Sequence, residues 1–291
     1  MIRPTRSALY MPGSNARALE KAKSLAADAV ILDLEDAVAP DAKAAARAQV
    51  CATVAAGGFG LQQVVIRINA LDTPWGAADI DAAAKAKPDA VLLPKPNTAA
   101  DIDRASVALR QSGAPETTKL WAMIETPLAV LNARDIAAAS KHAGSRLTCL
   151  VLGTNDLVKE TRAELDDART AALYWLSAAV TAARAYGLTV LDGVYNDFKD
   201  ASGLARECGL GRKLGFDGKT LIHPDQIATA NRVFAPSEAE VVQARKIIAA
   251  FDQPENKGKG VITLDGRMVE LLHAEMARGT VAIADAIAAR G

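Results

Sequence analysis

The chain has 291 residues, enough for two domains or for one large α/β barrel with a surplus at one end. Hydrophobic residues make up 50% and charged residues 23%, which excludes a disordered or collagen-like chain. The 34 Lys and Arg residues balance the 34 Asp and Glu residues without any basic run, which argues against a nucleic-acid partner. No apolar run approaches the ~20 residues of a membrane span and no signal-type pattern is present. We therefore expect a cytoplasmic protein with no membrane partner.

Short β-rich apolar runs alternate along the chain with longer Ala-rich runs of good helix formers, which is typical of βαβ units and a parallel sheet. The predicted strands cover residues 7–10, 29–34, 64–69, 90–94, 120–124, 148–152, 188–191 and 220–223. Eight is the number of strands that closes a (β/α)8 TIM barrel. Most of these runs are continuously apolar, as expected for strands that are covered on both faces.

The predicted helices between the strands cover residues 17–27, 40–55, 77–86, 98–111, 127–141, 168–186 and 203–214. Beyond the eighth strand, Ser237 and Glu240 have the spacing of a capping box that opens a helix to about Phe251. A polar loop, a turn or hairpin over residues 261–266, and a last helical stretch over residues 269–289 that is interrupted by Gly279 follow. We predict a barrel domain over residues 1–230 and a C-terminal helical extension over residues 231–291.

Charged or polar side chains stand at the carboxyl ends of six successive predicted strands, where the active sites of parallel barrels lie. They are Asp33, Glu35, Asp36, Arg67, Asn69, Lys95, Glu125, Asp156 and Asp192. Carboxylates without histidine or thiolate neighbours favour Mg²⁺ or Mn²⁺ over zinc. We expect Glu125 and Asp156, from adjacent strands, to be the metal ligands. The alternative for any single one of these acidic residues is an N-cap of the next helix.

Arg67 lies inside an apolar strand, where an arginine is unfavourable unless a carboxylate or an anionic ligand meets it. We interpret it as a substrate-binding and catalytic residue. The alternative is a structural ion pair to Glu35 or Asp36.

Eight segments, taken in order, resemble the citrate lyase β-subunit (CitE-like) proteins of the HpcH/HpaI aldolase superfamily, which are acyl-CoA lyases. The segments are RSALYMPGS at 6–14, LDLEDAV at 32–38, IRIN at 66–69, LPK at 93–95, IET at 124–126, GTNDL at 153–157, LDGV at 191–194, and GFDGK at 215–219 with IHP at 222–224. The resemblance implies a (β/α)8 barrel with a C-terminal helical extension, a homotrimer or hexamer, and a Mg²⁺-dependent site at the carboxyl rim.

By this resemblance Glu125 and Asp156 hold Mg²⁺, and Glu35 and Asp36 hold metal-bound waters. We expect Glu125 to be a substrate-binding residue as well. Arg67 binds the substrate and offsets negative charge on a developing enolate oxygen. The implied reaction is the reversible carbon–carbon cleavage of a malyl-, citramalyl- or citryl-type 3-hydroxyacyl-CoA to a 2-oxo acid and an acyl-CoA.

Lyases of this type carry a catalytic aspartate in a Met-Ile-Asp segment before the last helix, commonly delivered from a neighbouring subunit. The matching triplet here ends in Glu270, which we predict as the general base, with Asp265 as a possible substitute. The extra methylene leaves two alternatives: an enzyme that has lost the standard condensation, or a glutamate that only stabilises the first turn of a helix.

Arg17 and Lys21 follow the first predicted strand at helical spacing, so both could point towards the phosphates of CoA. A solvated helix face fits them equally well. Three other functions stay open: hydrolysis of the malyl-CoA thioester, a CoA-independent 2-oxo-acid aldolase, and a noncatalytic or carrier-dependent subunit of citrate lyase.

Overall fold

A computed structural model describes residues 3–290 and shows eight parallel strands joined in chain order into a closed barrel. The strands are β1 (Ser7–Pro12), β2 (Ala29–Asp33), β3 (Gln63–Arg67), β4 (Ala90–Leu93), β5 (Lys119–Ile124), β6 (Leu147–Leu152), β7 (Thr189–Asp192) and β8 (Gly218–Leu221). β8 pairs back onto β1, with Lys219 opposite Ser7, and this pairing closes the barrel. The predicted TIM barrel is confirmed.

In the described part of the chain, nine α-helices connect the strands, as the alternating pattern of the sequence predicted, and a tenth follows β8. They are α1 (Ala16–Ala22), α2 (Lys43–Ala56), α3 (Gly76–Ala86), α4 (Ala99–Gln111), α5 (Pro127–Leu131), α6 (Ala133–Ala138), α7 (Thr154–Thr161), α8 (Leu173–Tyr186), α9 (Ala201–Leu214) and α10 (Ile227–Phe234). Within residues 3–290, no helix has the length and apolar character needed to cross a membrane.

The barrel interior is filled by apolar side chains that recur with a period of two along the strands. The cluster consists of Ala8, Ala29, Ile31, Val65, Ala90, Leu92, Trp121, Met123, Cys149, Val151 and Leu191, with Tyr10 packed against it. Val30 and Leu32 of β2 are equally buried but alternate with this set, so they lie on the opposite face of the strand. Burial on both faces explains why the strands are continuously apolar in sequence.

The chain divides into two compact units, of which Thr5–Arg232 contains the barrel. The other contains residues 3–4 and 233–290, with two helices, α11 (Glu238–Phe251) and α12 (Leu271–Ala288), that pack against each other. Between them lies a hairpin of β9 (Val261–Leu264) and β10 (Arg267–Glu270). Its small core consists of Phe251, Ile262, Val269 and Ala274. Residues 1, 2 and 291 of the predicted domain ranges lie outside the described residues.

The last helix differs from the sequence prediction in two ways. It begins at Leu271 rather than at Val269, because Val269 and Glu270 belong to β10. The hairpin register is fixed by its two-residue turn, in which Asp265 (φ 51°) and Gly266 (φ 74°) both adopt the positive φ that such turns require. The helix also continues through Gly279, since one glycine costs only about 1 kcal/mol relative to alanine.

Candidate active site

A cavity of about 320 Å³ opens at the carboxyl ends of the barrel strands, and we call it the rim cavity. Residues in its wall include Tyr10, Asp36, Arg67, Glu125, Asp156 and Ile222. The structure therefore brings together the predicted substrate-binding arginine and both predicted metal ligands. The active sites of TIM barrels usually lie at the carboxyl ends of the strands, where this cavity lies.

The guanidinium group of Arg67 is clamped by Asp33. Its Nε donates to Oδ1 of Asp33 at 2.6 Å and its Nη2 to Oδ2 at 2.7 Å. The same carboxylate accepts the backbone N–H groups of Glu35 (2.9 Å) and Ala37 (3.0 Å). Asp33 stands directly opposite Arg67 in the pairing of β2 with β3. This bidentate pair fixes the plane of the guanidinium group.

The remaining side of Arg67 faces the two predicted supporting carboxylates. Its Nη1 lies 2.8 Å from Oε2 of Glu35 and 3.1 Å from Oδ2 of Asp36. The ring of Tyr10 lies 4.8 Å from its Cζ, within the range of a cation–π contact. The ion pairs named as the structural alternative for Arg67 are therefore present, and Arg67 lines the rim cavity as well.

Glu125 lies between the end of β5 and Thr126, whose side chain caps α5 by accepting the N–H of Ala129. Its side chain is fully buried, and Oε1 accepts the backbone N–H of Lys95 at 2.8 Å. Oε2 has no hydrogen-bond partner among residues 3–290. Burial, followed by the negative charge of Glu35, raises the pKa of Glu125 to about 8. A nearby cation would favour the ionised form of this carboxylate.

The donor set around Glu125 suits a hard divalent cation. Asp156, in the first turn of α7, places a second carboxylate in the wall of the same cavity. Gly153 leaves space for Glu125, because a Cβ at Gly153 would collide with its side chain. Across residues 3–290, no group of three or more His, Cys, Asp or Glu side chains is arranged to hold a metal ion. A pair of carboxylates suits Mg²⁺, which usually keeps part of its coordination for substrate and water.

Lys95 lies between these acidic residues. Its Nζ is 2.9 Å from Oε1 of Glu35 and 3.9 Å from Oδ1 of Asp156. Burial alone would lower the pKa of Lys95, but the hydrogen bond to Glu35 and the charge of Glu125 raise it. Burial also raises the pKa of Glu35 against the opposing effect of Arg67. The ammonium group is therefore a fixed positive charge of the site.

Asp33, Tyr10 and Lys95 contact other residues of the site, but no role was predicted for them from the sequence. For Asp33 a signal existed, since it ends β2 at the level where Arg67 ends the neighbouring strand. Lys95 also had a signal, because it is one of the charged side chains at the predicted strand ends, whereas Tyr10 had none. Asp192, another charged strand end, is fully buried and pairs with Arg169 and Lys219 rather than lining the rim cavity.

Three further site residues were predicted from the sequence. Arg17 and Lys21 are exposed side chains on α1, and neither lines the rim cavity. Glu270 belongs to the second unit, where it caps α12: its side chain accepts the N–H of His273, and its own N–H donates to Nδ1 of that histidine. The cap matches the structural alternative for Glu270, and its role as a base stays a prediction.

A protein-family model described as HpcH/HpaI aldolase/citrate lyase matches residues 6–224. The chain belongs to this family. It is 51% identical, over 98% of its length and 96% of the relative's, to a (3S)-malyl-CoA thioesterase of Cereibacter sphaeroides. It is 37% identical to the citrate lyase subunit beta of Escherichia coli K12, over 92% of this chain and 89% of that one.

A crystal structure of CitE from Mycobacterium tuberculosis in complex with magnesium, acetoacetate and coenzyme A has a similar fold. Its TM-score is 0.75 at 31% sequence identity, with 97% of this chain and 100% of that chain covered. The resemblance to citrate lyase β-subunit proteins, and with it the prediction of an enzyme from a lyase family, is therefore confirmed.

Proposed function

We propose that the chain is a Mg²⁺-dependent acyl-CoA lyase that cleaves a malyl-CoA-type 3-hydroxyacyl-CoA into a 2-oxo acid and an acyl-CoA. The observation that carries this proposal is the joint position of Arg67, Glu125 and Asp156 in the wall of the rim cavity. Family membership and the named activities of the two relatives support it. So does the presence of magnesium and coenzyme A in the CitE structure.

In this proposal Glu125 and Asp156 hold the metal ion, with Glu35 and Asp36 as supporting carboxylates. When bound, Mg²⁺ supplies Lewis-acid polarisation of the substrate oxygens. Arg67 binds the substrate and stabilises negative charge on oxygen as the carbon–carbon bond breaks. Because Asp33 already orients the guanidinium group, little reorganisation is needed when that charge develops.

The cleaved bond joins the hydroxyl-bearing carbon to the methylene carbon beside the thioester. A base removes the hydroxyl proton, the electron pair of the broken bond moves into the thioester enolate, and the methylene carbon takes up a proton. We assign the role of this base to Glu270. We assign the contacts with the CoA phosphates to Arg17 and Lys21. Removing the hydroxyl proton yields the 2-oxo acid, and protonating the enolate yields the acyl-CoA.

Arg67→Lys tests the assignment of the site, because it keeps the positive charge but loses the planar fork that pairs with Asp33. We expect kcat/KM for malyl-CoA cleavage with Mg²⁺ to fall about 100-fold. Arg47→Lys is the matched control, since Arg47 makes a similar ion pair with buried Asp79 and does not line the rim cavity. Equal kcat/KM for Arg67→Lys and wild type would contradict the proposal.

Hydrolysis of the malyl-CoA thioester is the second candidate, favoured by the higher identity to the thioesterase, 51% against 37% for the citrate lyase subunit. Mass spectrometry of the products separates the two reactions. Carbon–carbon cleavage yields acetyl-CoA and glyoxylate, whereas hydrolysis yields free CoA and malate. Activity that appears only with an acyl-carrier partner would instead support a subunit role. The same assay, after chelation and addition of Mg²⁺ or Mn²⁺, identifies the metal.

A further inference from the structure

Lys95 has a backbone conformation that its neighbours in the sequence disfavour. Its φ is 52°, in the left-handed region that a side chain with a Cβ rarely adopts. It also precedes Pro96, and the residue before a proline is biased towards extended conformations. Strained backbone of this kind persists only where the surrounding structure holds it.

Three of the other four left-handed non-glycine residues among those described have local explanations. Lys87 and Arg162 end helices α3 and α7, where a left-handed residue is common. Asp265 forms the turn of the hairpin. The fourth, Arg169, is held by two hydrogen bonds to the buried carboxylate of Asp192. Lys95 lies in the loop between β4 and α4 and has none of these positions. Its conformation therefore requires a different explanation.

The contacts of Lys95 give that explanation. In this loop its backbone N–H donates to Oε1 of Glu125 at 2.8 Å. The residues on either side, Pro94 and Pro96, have no N–H, so Lys95 is the one residue of this triplet that can make the contact. Oε2 of the same carboxylate has no hydrogen-bond partner within the described part of the chain. The N–H of Lys95 therefore determines which oxygen of Glu125 is held.

The side chain of Lys95 forms ion pairs with two further carboxylates. Its Nζ lies 2.9 Å from Oε1 of Glu35 and 3.9 Å from Oδ1 of Asp156. These groups follow β2 and β6, whereas Glu125 follows β5. One residue thus touches acidic groups from three separate strand ends.

We propose that Lys95 is a positioning residue of the rim cavity. Its left-handed backbone aims the N–H at Glu125 and fixes the orientation of that carboxylate, while its ammonium group restrains Glu35 and Asp156. The inference rests on the proposed function in one respect, the assignment of Glu125 and Asp156 as metal ligands. Lys95 itself touches no reacting atom in this scheme.

Two substitutions separate the backbone from the charge. Lys95→Asn and Lys95→Val both remove the ammonium group, but asparagine tolerates the left-handed conformation and β-branched valine does not. Isothermal titration of the purified protein with Mg²⁺ alone measures the metal affinity. We expect Lys95→Val to bind Mg²⁺ about 10- to 100-fold more weakly than Lys95→Asn, the range found when supporting contacts of metal ligands are removed.

Lys87 provides the matched control, because it is a lysine with nearly the same φ, 57°, at the end of α3. Lys87→Asn and Lys87→Val should differ in thermal stability but bind Mg²⁺ equally. If Lys95→Val does not fold, Lys95→Gly and Lys95→Ala make the same comparison with a smaller difference in backbone preference.

Two outcomes overturn the inference, and they are distinguishable. If Glu125→Gln weakens Mg²⁺ binding while Lys95→Val and Lys95→Asn bind the ion equally, the positioning role is wrong and the proposed metal site stands. If Glu125→Gln leaves Mg²⁺ binding unchanged, the proposed metal site fails and the role of Lys95 fails with it.

Discussion

Arg67 is held in place by carboxylates and still lines the rim cavity. Two of its nitrogen atoms donate hydrogen bonds to Asp33, and the third forms ion pairs with Glu35 and Asp36. A cation with this many fixed partners keeps its orientation before the substrate arrives. Such preorganised charge is usually a large contribution to catalysis, because no energy is spent on orienting it during the reaction.

Asp33→Asn should lower kcat/KM about 10- to 100-fold, because the side-chain NH₂ group would then face a nitrogen donor of Arg67 and the guanidinium group would shift. Steady-state kinetics with malyl-CoA and Mg²⁺ measure the effect. Asp81→Asn removes a carboxylate from an exposed ion pair with Lys85 on α3 and should leave kcat/KM unchanged. Equal kinetics for Asp33→Asn and wild type would show that the orientation of Arg67 is not important.

At the scale of elements, a buried charge cluster joins the last strands of the barrel. Asp192 at the end of β7 accepts from Arg169 at 2.7 and 2.8 Å and from Lys219 of β8 at 3.0 Å. Lys219 also reaches Glu207 of α9 at 2.6 Å. Removing one member of such a cluster leaves a buried charge without its partner, which is strongly destabilising.

The stability of these elements should depend on pH through Asp192. Burial alone would raise the pKa of Asp192, but Lys219 and Arg169 outweigh it and lower the pKa. The ionised carboxylate therefore stabilises the fold above its unfolded-state pKa of about 3.9, and this contribution is lost as pH falls through the lower folded-state pKa. We expect the urea midpoint of Asp192→Asn to lie below that of wild type at pH 7.

The gap between the two midpoints should narrow as the pH is lowered towards 3. Urea unfolding followed by circular dichroism over this range measures it. Asp285→Asn is the control, because Asp285 makes an exposed ion pair with Arg245 that contributes little to stability at any pH. A gap that widened on acidification would contradict the assignment of the lowered pKa to Asp192.

At the scale of the whole molecule, the second unit exposes large apolar side chains. Met268 is 68% exposed, Leu272 50% and Met276 67%. Leu272 and Met276 are four residues apart on α12 and therefore share one face of the helix. Exposed apolar surface of this kind often marks a protein–protein interface. We propose that it contributes to self-association into a homotrimer or hexamer.

The double substitution Leu272→Asp and Met276→Asp should reduce the molar mass of the particle in solution, because two buried charges would oppose the apolar contact. Size-exclusion chromatography with light scattering measures that mass. Leu61→Asp is the control, since Leu61 is 61% exposed on the barrel unit and should leave the mass unchanged. An unchanged mass for the double variant would place the interface elsewhere.

The sequence alone predicts the barrel fold and the end of the barrel at which the candidate site lies. Eight apolar runs separated by helix formers specify a closed parallel sheet, and parallel strands bring all their carboxyl ends to one rim. Arg67, Glu125 and Asp156 were predicted on this basis and lie together in the rim cavity. Burial on both faces of each strand leaves a clear pattern in the sequence, which is why these features were predictable.

The tertiary structure alone decided how the charged strand ends are used. Asp192 ends β7 and Glu125 directly follows β5, yet Asp192 joins a buried ion cluster and Glu125 lines the rim cavity. The bidentate pair of Asp33 with Arg67 and the left-handed backbone of Lys95 are likewise visible only in the fold. The position of a residue at the start or the end of its strand specifies which end of the barrel its side chain occupies. Its partners depend on rotamers, backbone dihedral angles and distances between strands, which are fixed only when the barrel is packed.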